Sequence, residues 1–129
     1  MTIALLVDTH IVLWARITPE RLCADERQAL DAAPFRFISA VTLWEIALLI
    51  ALGRVGADMR LLDPPEGFDL LPIRPEHCRE LIALPGLHRD PFDRMLIAQA
   101  RCEDLGLLTR DKAISVYGPQ GALIVPRGN

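Results

Sequence analysis

At 129 residues the chain suits one compact domain, here taken as 1–129, with room for a real hydrophobic core. Hydrophobic residues make up 51% and charged residues 24%, which excludes an intrinsically disordered chain; a net charge of −3 excludes bulk attraction to nucleic acid. Cys23, Cys78 and Cys102 are odd in number and form no C-x-x-C pair, so neither a disulfide framework nor a cysteine-built zinc site is expected.

The first element is the apolar run Ile3–Val7, with the pattern of a strand buried on both faces and closed by Asp8. No basic segment precedes it, so no signal peptide is expected. Thr9–Arg16 follows as a short helix, with Ile11, Leu13 and Trp14 facing the core. Asp25–Ala33 is a second helix, ended by Pro34, and Phe35–Ser39 a second strand. The helix Thr42–Leu52 comes next, capped by Gly53. Its apolar stretch is too short to span a bilayer comfortably and carries Glu45 near its centre, so a soluble cytoplasmic protein is expected. Gly56–Leu62 gives one more helical turn.

Phe68–Ile73 is a third strand, and Pro75 opens a helix through Leu84. The strongest helix, Pro91–Leu105, has Asp90 as N-cap, Pro91 at its first position and Gly106 as terminator. Leu107–Thr109 is a fourth strand, Asp111–Tyr117 a short helix and Ala122–Val125 a fifth strand. Strands alternating with helices imply an α/β/α sandwich on a mostly parallel sheet of about five strands.

Four acids stand out. Glu45 lies in a 15-residue stretch with no other charge, and no Lys or Arg lies within eight residues on either side. An ionised carboxylate there is costly to bury unless something pairs with it. Asp8 and Asp111 end strand-like runs, and Asp93 sits in the first turn of the longest helix. Taken singly, Asp8, Asp93 and Asp111 each have a helix-capping or helix-dipole explanation, and Asp90, directly before Pro91, is best explained as a cap. In parallel α/β sheets, however, sites collect at the carboxyl ends of strands, where Asp8, Glu45, Asp93 and Asp111 can converge. Bare carboxylates about 4 Å apart repel by about 1 kcal/mol in water and about 4 kcal/mol at an effective dielectric near 20, so such a cluster calls for a cation. Hard oxygen ligands suit Mg²⁺ or Mn²⁺.

The segments Leu5-Leu-Val-Asp-Thr-His10, Ser39-Ala-Val-Thr-Leu-Trp-Glu-Ile-Ala47, His88-Arg-Asp-Pro-Phe-Asp-Arg-Met-Leu-Ile-Ala-Gln-Ala100 and Leu107-Leu-Thr-Arg-Asp111 resemble the successive motifs of PIN-domain nucleases, above all the VapC-like toxins of bacterial toxin–antitoxin pairs. The resemblance runs from Ile3 to about Val125. It implies a metal-dependent endoribonuclease using Mg²⁺ or Mn²⁺, with Asp8, Glu45, Asp93 and Asp111 as its catalytic and metal-holding acids and Thr109 supporting them. It also implies an RNA substrate, a cognate antitoxin and a homodimer. Arg89, Arg94, Arg110 and Lys112 flank the third and fourth acids, and Arg94 and Arg110 are candidates for contacting substrate phosphates. Two departures stand out: Leu49 lies near a position where many relatives carry lysine, and His10 replaces a frequent Asn.

Two other classes compete. A signalling receiver domain needs paired acids after strand one, but Thr9 follows Asp8; a non-catalytic partner-binding module would keep the fold alone. Trp14 and Trp44, at helical spacing with Ile11 and Leu48, are expected in the core, and His10, His77 and His88 as exposed or hydrogen-bonded histidines without metal-ligand spacing.

Overall fold

The computed structural model describes residues 4–86, 90–110 and 123–124. Its elements are β1 (Leu5–Val7), α1 (Thr9–Ile17), α2 (Ala24–Ala32), β2 (Arg36–Ser39), α3 (Ala40–Ala51), β3 (Asp69–Leu71), α4 (Pro75–Ala83), α5 (Pro91–Glu103), β4 (Gly106–Leu108) and β5 (Leu123–Ile124), with 3₁₀ turns at Pro19–Arg21 and Met59–Leu62. All strand pairs are parallel, in the order β3-β2-β1-β4-β5. The predicted α/β sandwich and its sheet of about five strands are therefore observed. The predicted Asp111–Tyr117 helix lies outside the described residues.

Alternation along the short central strands splits the core in two. Leu6 and Leu107 face a cluster with Leu96, Ile97, Ala98 and Ala100 of α5 and Leu71 of β3. Leu5, Val7 and Leu108 face the other side, with Ile11 and Val12 of α1, Leu22 and Ile38. A smaller cluster of Leu13, Ile46 and Leu61 packs α1 against α3 and the second 3₁₀ turn. Strands covered on both faces carry no polar alternation, which is why Leu5–Val7 and Gly106–Leu108 are wholly apolar apart from glycine.

Three expectations are corrected. Trp44 is 59% exposed and Leu48 40% exposed, because α3 is apolar nearly all round and turns Val41, Thr42 and Ile46 inward instead. Strand β3 covers only Asp69–Leu71 of the expected Phe68–Ile73. Helix α5 stops at Glu103, where Asp104 rather than Gly106 takes the left-handed position (φ 56°), a conformation Asp tolerates better than most residues; this frees Gly106 to begin β4. Gly53 does end α3, at φ 72°. None of the described helices is long and apolar enough to cross a membrane.

Candidate active site

The sheet reverses its build direction between β1 and β4, the topological switch point where parallel α/β sheets place ligands. Val7 pairs with Leu108, so the next residues on each strand, Asp8 and Thr109, emerge side by side. The Asp8 amide donates to the Leu108 carbonyl (3.0 Å), and the Thr109 hydroxyl donates to Asp8 Oδ2 (2.9 Å). Asp8 occupies the N-cap position of α1, yet its side chain makes no capping bond; the capping explanation fails for this residue.

Glu45 reaches the same place from α3, whose start is fixed by two bonds. The Ser39 hydroxyl accepts from the Val41 amide (3.0 Å) and donates to Gln99 Oε1 of α5 (2.6 Å). The Thr9 and Thr42 hydroxyls lie 3.1 Å apart beneath it. Asp93 arrives on the first turn of α5, which Asp90 caps by accepting from the Phe92 and Asp93 amides (2.9 and 3.4 Å). Immediately beside these two acids, Trp44 meets Phe92 edge-on at 4.9 Å and clips α3 to α5.

Asp8, Glu45 and Asp93 thus line one cavity of about 320 Å³, shared with His10, Trp14, Asp90 and Arg110. The three acids feel one another. Burial lifts the Asp8 carboxyl to about 6, with Asp93 adding to the rise while the Thr109 hydroxyl and His10 oppose it. Burial likewise raises Glu45, helped by Asp93 and Asp8 and opposed by Thr9 and His10. Such a constellation favours a bound cation, because a cation removes both the repulsion and the desolvation cost. Asp111 lies outside the described residues.

The basic candidates separate. Arg110 lines the cavity but is committed to Glu26, donating to both carboxylate oxygens, and to the Arg21 carbonyl; its guanidinium sits 4.3 Å over Trp14. Arg94 does not line this cavity: it donates to the carbonyls of Pro85, Leu81 and Leu84, closing the end of α4. Glu26, fully buried, was not singled out from the sequence. Burial opposes its charge, but Arg110 and the Cys23 amide outweigh that and hold its carboxyl below the usual range. The signal was a capping box, Cys23-x-x-Glu26, with cysteine in place of the usual hydroxyl residue. His10, exposed, and Trp14, half-buried, belong to the cavity wall and not to a plain surface or a plain core.

A PIN-domain profile matches residues 5–118. The chain belongs to the PIN-domain family. Ribonuclease VapC22 of Mycobacterium tuberculosis is 27% identical over 114 residues, covering 84% of this chain and 88% of that relative. Among solved structures, FitAcB from Neisseria gonorrhoeae superposes with a TM-score of 0.67 at 22% identity, over 92% of this chain and 95% of that one. VapBC-5 of M. tuberculosis, a member of the VapBC family of toxin–antitoxin systems, gives 0.67 at 17% identity, over 97% and 98%.

This PIN domain carries a second group that could be mistaken for a metal site. Glu76, His77 and Glu103 bring ligand-type atoms within 4.8 Å of one another. The ring of buried His77 is already used on both sides. Nδ1 accepts from the Arg74 amide (3.0 Å) and faces the Gln99 amide nitrogen (3.4 Å), which leaves the proton on Nε2 to be donated to Glu103 Oε2 (2.7 Å). A cation on Nε2 would force a proton onto Nδ1, against two N–H groups. The cluster is a structural tie between α4 and α5.

Proposed function

We propose that this PIN domain is a metal-dependent endoribonuclease that hydrolyses RNA phosphodiesters and acts as the toxin of a toxin–antitoxin pair. The observation that carries the reading is the convergence of Asp8, Glu45 and Asp93, from three separate elements, on one cavity at the switch point. Asp111, two residues beyond Thr109, is proposed as the fourth acid. Further support comes from the ribonuclease named among its relatives and from the toxin–antitoxin complexes among similar folds. A cognate antitoxin and a homodimer, in the cytoplasm, belong to the same proposal.

The donor set fits a hard divalent cation: carboxylate oxygens at a partly open site, with no sulfur donor and one imidazole, His10, at the rim. Asp8, Glu45, Asp93 and Asp111 would hold Mg²⁺ or Mn²⁺. When bound, the ion supplies positive charge to the phosphodiester and makes a water acidic enough to attack near neutral pH. The chain's own residues prepare this. Thr109 fixes the rotamer of Asp8, Asp90 holds the first turn of α5 in place, and the Ser39–Gln99 bond sets the distance between the helices bearing Glu45 and Asp93.

The test is RNA cleavage with and without Mg²⁺ or Mn²⁺, comparing wild type with Asp93→Asn. Cleavage should require the ion and fall by about a thousandfold in the variant, the several kcal/mol expected of a lost metal-holding group. Undiminished metal-dependent cleavage by Asp93→Asn would sink the proposed site.

A further inference from the structure

The acidic cavity does not end at Trp14. A second cavity, of about 410 Å³, shares His10 and Trp14 with it and continues away from the acids. Leu13, Leu49 and Val55 give it an apolar floor, and Arg21 and Arg54 stand at its rim. A third, of about 710 Å³, shares Ile17 and Gly56 with the second, so the three cavities lie in a row, each sharing wall residues with the next.

The charges along this groove are not equivalent. In its outermost part Arg60 is paired with Asp58, and Arg16 is held by a hydrogen bond to the Asp63 carbonyl. Arg21 and Arg54 are exposed and pair with no carboxylate among the described residues; Arg21 rests 5.3 Å from the Trp14 ring centre. An apolar floor beside guanidiniums that pair with no carboxylate among the described residues, next to the proposed phosphodiester-cleaving centre, matches a single-stranded nucleic acid: bases pack on the floor and phosphates meet the arginines. The volume of the middle cavity falls within the range of about 300–1,000 Å³ typical of small-ligand sites. Its polarity also answers an electrostatic need, because an acidic centre by itself repels a polyanion.

We infer that the groove beyond His10 and Trp14, edged by Arg21 and Arg54, is the subsite that holds the RNA nucleotides flanking the scissile phosphate. This rests on the endoribonuclease reading above. Occupancy of the subsite makes cleavage depend on substrate length. A strand of about ten nucleotides is long enough to reach past Trp14, whereas a dinucleotide is confined to the acidic centre.

The experiment compares kcat/KM for a ten-nucleotide single-stranded RNA and a dinucleotide, in wild type, Arg54→Glu and Arg21→Glu, over a series of salt concentrations. In wild type the longer substrate is favoured. Each variant should lower the long-to-short ratio by about tenfold, and should flatten the salt dependence of binding by about 0.7 per lost phosphate contact. Melting curves check the fold, with Arg54→Gln and Arg21→Gln as milder substitutions should a charge reversal unfold the chain. An unchanged ratio and salt slope in all variants would overturn the subsite and leave the groove to a protein partner. Equal losses on both substrates would also overturn it, by showing an effect on the acidic centre. If wild type cleaves neither RNA, the nuclease reading itself fails; fluorescence anisotropy of the labelled ten-nucleotide RNA then tests the groove directly, and equal binding by wild type and Arg54→Glu rejects it.

Discussion

Two acidic clusters sit on the same helix ten residues apart, Asp93 at the start of α5 and Glu103 at its end, a helical rise of about 15 Å. At Glu103 the His77 ring is matched on both nitrogens: His77 donates to Glu103, and Arg74 and Gln99 face the other ring nitrogen. Around Asp8 and Glu45, burial and the neighbouring carboxylates lift both groups above their ordinary range, against the opposing pull of His10 and of the Thr109 and Thr9 hydroxyls. Proximity of ligand-type atoms is common to both clusters. What separates them is whether the protein completes the charge and hydrogen-bond balance by itself. The His77–Glu103 pair is satisfied within the protein and has no use for an ion; among the described residues, the burial cost of Asp8 and Glu45 is not fully met.

Substitutions at the two ends should therefore behave oppositely. The largest effect is expected at the complete cluster. His77→Ala removes a fully buried ring and strands the Arg74 amide and the Glu103 carboxylate, costing about 3 kcal/mol in denaturant unfolding. The dependence of the folded variant on Mg²⁺ or Mn²⁺ should match wild type; a shifted metal requirement would mean this cluster holds an ion after all.

At the deficient cluster, removing a charge should stabilise. The folded Asp8 carboxyl titrates near 6 against an ordinary 3.8, so between those values the folded state binds more protons than the unfolded chain. Metal-free stability should then fall as pH rises from about 4 to about 6 and stay low above it, by about 3 kcal/mol at most. Asp8→Asn keeps an acceptor for Thr109 and should remove the Asp8 share of that slope, leaving the smaller share of Glu45. At pH 7 without metal it should melt higher than wild type, and it should lack the gain expected of wild type with millimolar Mg²⁺. An Asp8→Asn protein that melts lower than wild type without metal would refute the account of an uncompensated carboxylate.

The smallest effect is expected for Glu103→Gln. The amide oxygen still accepts from His77 Nε2, and the site is partly open to water, so thermal unfolding should reveal a loss of under about 1 kcal/mol. A loss of several kcal/mol would show that the His77 tie depends on charge.

These contrasts also explain what could be seen in the sequence. Strands buried on both faces leave unbroken apolar runs, so β1 and β4 and the acids closing them were legible, and a parallel sheet brings such strand ends together. Glu45 was legible because nothing near it in sequence explains its charge. The exposure of Trp44 was not, because α3 lacks the polar stripe that would orient it. Arg94 and Arg110 lie beside acids in sequence, but their partners are nine to 89 residues away, and only the fold reveals them. Glu26 was missed for the same reason: its guanidinium partner is 84 residues downstream.

The bond from Thr109 to Asp8 joins positions 101 residues apart, near opposite ends of the chain. A contact of such high sequence separation forms only after a large loop-closure cost has been met, and on a ribosome only after Thr109 has emerged. The acidic centre is thus incomplete until β4 has docked beside β1. The order of synthesis itself delays completion of the acidic centre, and a chain interrupted before Thr109 folds, at most, into a scaffold without that bond.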